Sequence, residues 1–540
     1  MAGRAASPES AARWLTRARR PAWVAAAPMD APPVPPRRSA FLLDWIERAG
    51  NRLPNPLTLF VLLAGATVLA SALAAGLGWT VTHPKDGSTL SAVSLLNAEG
   101  VRRMFTEALR NFTGFAPLGL VLVSMIGIGV AEATGLVGVL LRAFVTSLPR
   151  RWLTAAVVFA AINANLAADA GIILLPPLAG LLFAAAGRHP IAGITAAFAG
   201  VSGGYSANLL PSTIDVLLAG FTQEALDASR LLPGYRVQLL GNWYFLAVST
   251  PLLTLAATWV TERIVEPRLG PWRGEAAAAP GPLTAAERRG LVWAGVAFLA
   301  TVACALALIL PPGAPLRDPA AASAVERLRP FLDSMVLWVL LAFLVPGLAY
   351  GAATGSVRND HDVARLTGDT LATMGSYIVL AFVAAQFLSY FAWSNLGALL
   401  AISGAGFLRG IGLEGAPLLT GFVLLSAFVN LFISSASAKW AIMAPIFVPM
   451  FVLLGYSPEG TQAVFRVGDS CTNIITPVFV YLPFVQSCMQ RHDPRMGLGS
   501  VVSLMVPYTL TFLPLWTLLL LGFLWAGWPI GPGVGLTLPP

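Results

Sequence analysis

Charge is sparse in this chain: Asp, Glu, Lys and Arg make up only 11% of its residues, against about 25% in an ordinary soluble domain. A solvated globular surface is therefore excluded as the main boundary of the fold. Cysteine is scarcer still, with three in 540 residues. Cys304, Cys471 and Cys488 fall in apolar stretches without metal-ligand or redox spacing, so neither a disulfide framework nor a zinc site is expected. The four histidines, His83, His189, His361 and His492, stand in loops or at segment ends and read as scattered with respect to one another. No metal centre and no cofactor are expected.

What is present is apolar: 56% of residues are hydrophobic and the mean hydropathy is +0.73. With apolar stretches almost back to back, the chain reads as an all-α polytopic membrane protein. The net charge of +8 and pI near 9.8 do not indicate nucleic acid. The arginines concentrate in the N-terminal tail and short loops, where they set topology.

Residues 1–40 carry Arg13, Arg17, Arg19, Arg20, Arg37 and Arg38 and a Pro32-Pro33-Val34-Pro35-Pro36 run, and predict a disordered basic cytoplasmic tail. Their one apolar stretch, 23–28, is too short for a leader core, and Met29 is an alternative start. Residues 41–530 form the integral membrane domain, opened by an amphipathic stretch at 41–52, and 531–540 a short C-terminal tail. Nine candidate spans lie near 56–77, 115–141, 190–217, 238–262, 290–311, 333–353, 369–402, 461–488 and 498–527, each with the roughly 20 apolar residues a crossing needs. Segments 152–187 and 418–455 differ. Each is two apolar arms around a polar kink, the pattern of a re-entrant hairpin, whose tip is tolerated at that depth only inside protein or beside a wet cavity.

With the basic tail inside, the loops bearing Arg150, Arg151, Arg263, Arg289, Arg358, Arg365, Arg491 and Arg495 all fall in the cytoplasm. The same count opens hairpin 152–187 to the cytoplasm and hairpin 418–455 to the outside. Opposed orientation of two similar units is the signature of an inverted repeat with a midplane site. Asn165 and Asn430 each open a kink, Pro176 and Pro445 follow in the return arms, and the next span in each half breaks at Ser206, Asn208 and Pro211 or at Ser470, Asn473 and Pro477.

These polar islands carry the chemistry. Proline removes an amide proton and clashes with the preceding turn, so Pro211 and Pro477 are expected to open their helices. The freed carbonyls, with Ser206, Asn208, Ser470 and Asn473 and beside the Asn165 kink, are oxygen ligands suited to Na⁺; local helix kinks are the plainer reading. Asp169 and Asp469 are the candidates for carrying a proton, since an apolar setting raises a carboxyl pKa. Asp169 reads equally as a helix cap, and Asp469 as the ion-pair partner of Arg466 three residues earlier. Arg466 and Lys439 bring positive charge suited to an anionic substrate. Trp440 offers a flat face to an aromatic ring or serves in packing, beside the hydroxyls of Ser434, Ser435 and Ser437.

Several motifs resemble the p-aminobenzoyl-glutamate transporter (AbgT) family across the chain after about residue 40: Trp45-Ile46-Glu47, Leu53-Pro54-Asn55-Pro56, Ser206-Ala207-Asn208-Leu209, Ser212-Thr213-Ile214-Asp215, Gly241-Asn242-Trp243-Tyr244-Phe245, Glu266-Pro267-Arg268-Leu269-Gly270, Ser435-Ala436-Ser437-Ala438-Lys439-Trp440-Ala441 and Arg466-Val467-Gly468-Asp469-Ser470. Cys471 departs from the small hydroxyl residue expected there. The resemblance implies a homodimeric inner-membrane carrier with nine spans and two re-entrant hairpins. Its implied substrates are p-aminobenzoyl-glutamate and, in some members, sulfonamide antimetabolites exported by an antiporter on the proton gradient. It also implies that Asp169, Asn430, Ser437, Trp440, Arg466, Asp469 and Pro477 serve transport. A Na⁺-coupled carrier of another small organic anion is the alternative. An intramembrane hydrolase is disfavoured: Arg466 would hold Asp469 ionised, and no histidine stands near Ser470. Direction of transport and coupling ion are left open by the sequence.

Overall fold

In hydrocarbon every backbone N–H must find its acceptor within the segment or a neighbour, so the apolar runs fold as helices. The computed structural model describes residues 56–82, 87–147, 149–167, 170–272, 274, 283–321, 327–476, 479 and 481–539. The tail 1–40, the stretch 41–52, Asp169 and Pro477 lie outside the described residues. Among the described residues, eight helical segments are long and apolar enough to cross a membrane.

The first half runs α1 (Pro56–Gly76), a two-stranded antiparallel hairpin β1 (Thr80–Thr82) and β2 (Thr89–Ser91), α2 (Ala98–Thr113), α3 (Ala116–Ala133) and α4 (Leu136–Ser147). The helical pair α5 (Leu153–Asn163) and α6 (Ala170–Ala185) follows, then α7 (Pro190–Phe198), α8 (Thr213–Ser229) and α9 (Trp243–Val260). The second half comprises α10 (Ala285–Ile309), α11 (Met335–Thr354), α12 (Asp360–Ala372), α13 (Gly375–Trp393) and α14 (Leu396–Gly410). The pair α15 (Gly415–Asn430) and α16 (Ala436–Leu453) then leads to α17 (Pro458–Cys471), α18 (Leu482–Gln490) and α19 (Leu498–Ala526).

Four predicted spans are not single helices, and the first of them, 115–141, divides at Thr134 and Gly135 between α3 and α4. Segment 190–217 ends its helix at a π turn, Ala199–Gly203, where a Cβ on Gly200 would come within 2.7 Å of the Ala161 Cβ and one on Gly204 within 2.7 Å of Ile162. The chain then runs without helix to Ser212, and α8 continues to Ser229. Pro211 thus opens no helix. It precedes the cap residue of the next one, because proline is as much a signal of a helix start as of its end. Segment 369–402 divides at Ser394 and Asn395, the latter in left-handed backbone. Segment 461–488 divides after Cys471, upstream of Pro477.

The periphery and the centre differ in the way a membrane requires. On α10 only Gly290 and Ala294 are buried, and Val292, Trp293, Val296 and Leu299 face outward. In the centre every residue of α17 is buried, although it carries Glu459, Gln462, Arg466 and Asp469. Its cap, Ser457, accepts from the Gly460 N–H (2.9 Å) and donates to the Gly535 carbonyl (2.6 Å), while the Ser457 N–H bonds Leu536 O (2.9 Å). The C-terminal segment thereby clamps the start of α17.

Gly468 sets how closely α17 lies on α15. A Cβ there would stand 2.2 Å from the Val423 carbonyl and 2.7 Å from the Ser426 Cβ, and backbone cannot move aside as a flexible side chain can. Gly468→Ala is expected to cost about 1–3 kcal/mol by overpacking. Thermal unfolding of the purified protein should show a lower midpoint; an unchanged midpoint would mean that α15 and α17 separate freely.

Candidate functional site

α17 is a polar helix in an apolar interior, where an unpaired charge is far more costly than a paired one. Its charged groups are matched by residues from other elements. Arg466 Nη2 donates to Asp215 Oδ1 at 2.5 Å, with both side chains buried. Asp215 Oδ2 also accepts from the Ser212 N–H (2.6 Å) and hydroxyl (2.8 Å) in the capping box that starts α8. One carboxylate therefore caps a helix and neutralises an arginine 251 residues away.

The expected Arg466–Asp469 pair is consequently not formed. Asp469 pairs instead with Lys439 of α16, and the Lys439 ammonium also donates to Asn430 Oδ1. The Asn430 amide, ending α15, donates to the Asp469 carbonyl (2.5 Å), Thr472 Oγ1 (2.8 Å) and Asn473 Oδ1 (2.9 Å). Asn473 reaches across to the first half, donating to the Ser202 carbonyl in the π turn (3.3 Å). In that half Asn165 donates to the Ile162 carbonyl (3.0 Å), as does Asn208 with its amide nitrogen turned to it (3.0 Å). The Asn473 amide thus ties the helix breaks of the two halves to one another.

A cavity of about 240 Å³ opens where the breaks meet. Asn165 from the α5–α6 break, Ser434, Ser435 and Ser437 from the α15–α16 break, and Asn473 supply its polar wall. Tyr205, Phe479 and Tyr481 supply aromatic faces. Those three aromatics were missed in the sequence. The available signal was their position, one in the non-helical link after Gly203-Gly204 and two just past Pro477. Asp215 was read only as part of a family motif, although Ser212-x-x-Asp215 is a capping-box pattern.

The other predicted site residues that are described do not line this cavity. Trp440 is fully buried, donating its indole N–H to Thr222 Oγ1 (2.9 Å), with its ring 4.6 Å from that of Phe465. Asn430, Lys439, Arg466, Asp469 and Ser470 are buried as well. Ser206 and Asn208 are buried in the link between α7 and α8. Arg466 Nε, Ser470 Oγ and Ser202 Oγ are buried without a hydrogen-bond partner among the described residues.

The histidines are not all scattered. The rings of His189 and His492 lie 5.3 and 6.0 Å from Trp272, one on each of two edge-on contacts. Burial lowers the pKa of both, opposed at His189 by Glu266 and Asp493 and reinforced at His492 by His189 and Arg491. Beside them Arg188 forms a 2.5 Å pair with Glu266 and donates to Thr154 (2.8 Å). This cluster fastens the start of α7 to the 266–272 segment and the 491–493 turn.

The model of the "AbgT putative transporter family" matches residues 41–538. The chain is 39% identical over 497 residues to the p-aminobenzoyl-glutamate transport protein of Escherichia coli K12, covering 92% of this chain and 97% of that one. Among solved structures, the YdaH transporter of Alcanivorax borkumensis superposes with a TM-score of 0.84 at 43% identity, over 89% of this chain and all of that one. MtrF of Neisseria gonorrhoeae, presented as illuminating a class of antimetabolite efflux pumps, gives 0.84 at 42% identity, over 91% of this chain and all of that one. A helical membrane fold with paired helix breaks around one central cavity, matched along nearly its whole length by transporters, places the chain in the AbgT transporter family.

Proposed function

We propose that the protein is a secondary active transporter of small aromatic carboxylates of the p-aminobenzoyl-glutamate type, with sulfonamide antimetabolites as further substrates, residing in the inner membrane. The observation that carries this reading is the cavity whose wall is drawn from the breaks of both halves. Amide and hydroxyl groups on one side and Tyr205, Phe479 and Tyr481 on the other suit a ligand with an aromatic ring and hydrogen-bonding ends. The similarity to the E. coli transport protein and to MtrF supports the two substrate classes.

In the proposed mechanism 152–187 and 418–455 are re-entrant hairpins of opposite orientation, and rocking of one repeat against the other exposes the cavity to each side in turn. Ser435, Ser437, Asn165 and Asn473 contact the substrate in this conformation. Asn430, Lys439, Trp440, Arg466 and Pro477 contribute as the cavity rearranges, Arg466 with its unpaired Nε directed at the substrate's anionic end. Asp169 and Asp469 carry the coupling proton. A Na⁺-coupled reading is favoured by one observation, the partnerless Ser470 and Ser202 hydroxyls near Asn473 and close to Ser206 and Asn208. The outward-facing apolar helices and the family resemblance support a homodimer in the lipid bilayer.

The test is accumulation of radiolabelled p-aminobenzoyl-glutamate in proteoliposomes under imposed pH or Na⁺ gradients of either sign. Concentrative movement driven by the pH gradient, with none driven by Na⁺, is expected. Movement driven by Na⁺ alone would transfer the coupling role to the serine and asparagine oxygens, and no movement under any gradient would reject the substrate class.

A further inference from the structure

A second cavity, of about 250 Å³, shares no lining residue with the first. The loop charges assign it to the outer side. Its floor is apolar, from Leu90, Ala225, Leu388, Phe391 and Pro445, and its polar rim holds Ser229, Arg230 and Asn395. Among the described residues, Arg230 (φ 57°) and Asn395 (φ 60°) are the only non-glycine residues in left-handed backbone, and both stand on this rim. For asparagine that conformation is common. Arg230 adopts it as the residue that ends α8, its N–H bonded to the Asp227 carbonyl (3.3 Å), and this helix ending turns the side chain onto the rim.

The two rim residues differ in what holds them. The Asn395 amide donates to the Ser91 carbonyl (3.0 Å), tying the rim to the β-hairpin. The Arg230 guanidinium is exposed and has no ion-pair or hydrogen-bond partner among the described residues. Among the described residues no carboxylate pairs with this cation, which shares the cavity wall with the apolar floor and Phe391.

The floor connects to the transport core through two helices. Ala225 and Ser229 lie one and two turns outward on α8 from Thr222, the acceptor of the Trp440 indole; the rise from Thr222 to Ser229 is about 10 Å. Pro445 stands on α16, the helix that carries Lys439 and Trp440. An occupant would rest on the outward continuation of the surfaces that enclose the core.

We infer that the Arg230 cavity is an outer anteroom that binds a small aromatic carboxylate, ring on Phe391 and Leu388 and carboxylate on Arg230, before entry to or after release from the central site. The inference deepens the proposed function and rests on its substrate class. An arginine fork binds a carboxylate through parallel N–H bonds, and a ring beside an apolar floor gains from leaving water.

The experiment uses the full chain in sealed proteoliposomes, with Cys304, Cys471 and Cys488 replaced by alanine and Ala228→Cys added on the rim wall. Anionic and cationic membrane-impermeant methanethiosulfonates are applied from outside. The anionic reagent should react about 10-fold faster relative to the cationic one than it does after Arg230→Gln, as charge steering predicts. Both p-aminobenzoyl-glutamate and benzoate should slow labelling severalfold with Arg230 present and not after Arg230→Gln. Ala392→Cys, across the cavity, serves where Ala228→Cys does not fold. Absence of protection by either compound, or equal protection without Arg230, overturns the inference. Protection by benzoate in a protein that does not accumulate p-aminobenzoyl-glutamate would keep the anteroom and reject the proposed substrate; accumulation without protection would do the reverse.

Discussion

Asp215→Ala is expected to abolish transport and to lower the melting temperature further than Arg466→Ala does. Each removes one member of a buried pair and strands the other, which costs about 3–5 kcal/mol. Asp215 also caps α8 through Ser212, and loss of a cap adds about 1 kcal/mol. Asp215→Asn keeps an acceptor for the Ser212 N–H while leaving Arg466 without its counter-charge, so its melting temperature should fall between those of Asp215→Ala and the parent. The double variant Asp215→Leu with Arg466→Met is the discriminating case. Replacing a buried ion pair by apolar residues of similar volume is often neutral for stability, so the double variant should melt well above either alanine variant, short of the parent by the cap loss of about 1 kcal/mol, yet accumulate no substrate. Recovery of accumulation as well would assign Arg466 to structure alone. Unchanged melting of Asp215→Ala would show that the pair contributes nothing to the fold.

What was legible in the sequence is what one helix or one composition can display. The scarcity of charge gave the solvent, and the kinks at Asn165 and Asn430 marked two helix breaks because an amide inside an apolar run has few other uses. Neighbours on one helix are also predictable, which is why Asp469 was matched with Arg466. The structure matches each of them with another element: Asp215 lies 251 residues before Arg466, and Lys439 reaches Asp469 from α16. Helical periodicity has no access to such pairings. Pro211 differs from expectation for a related reason, since its effect depends on whether a helix precedes or follows it, and here the helix has already ended at the π turn Ala199–Gly203. The meeting of His189 and His492 at Trp272 is another purely tertiary event.

The junction of Lys439, Asn430 and Asp469 should separate coupling from folding. Three helices, α15, α16 and α17, converge there, and Asn430 fixes the end of α17 through bonds to the Asp469 carbonyl, Thr472 and Asn473. Lys439→Met removes the only basic group recorded against Asp469 among the described residues and should lower both stability and transport. Asp469→Asn keeps the size and hydrogen-bonding capacity of the side chain but removes its titratable proton. It leaves Lys439 short of a counter-charge, which lowers the melting temperature, yet the Asn430 bonds to the backbone remain available. Asp469→Asn should therefore still exchange p-aminobenzoyl-glutamate across the membrane when substrate is present on both sides, while failing to concentrate it under a pH gradient. Combining Asp469→Asn with Lys439→Met removes the stranded charge, so stability should return without concentrative transport. If Asp469→Asn concentrates substrate on a pH gradient as the parent does, the coupling proton does not reside on Asp469, and the buried pair serves only to hold the three helix ends together.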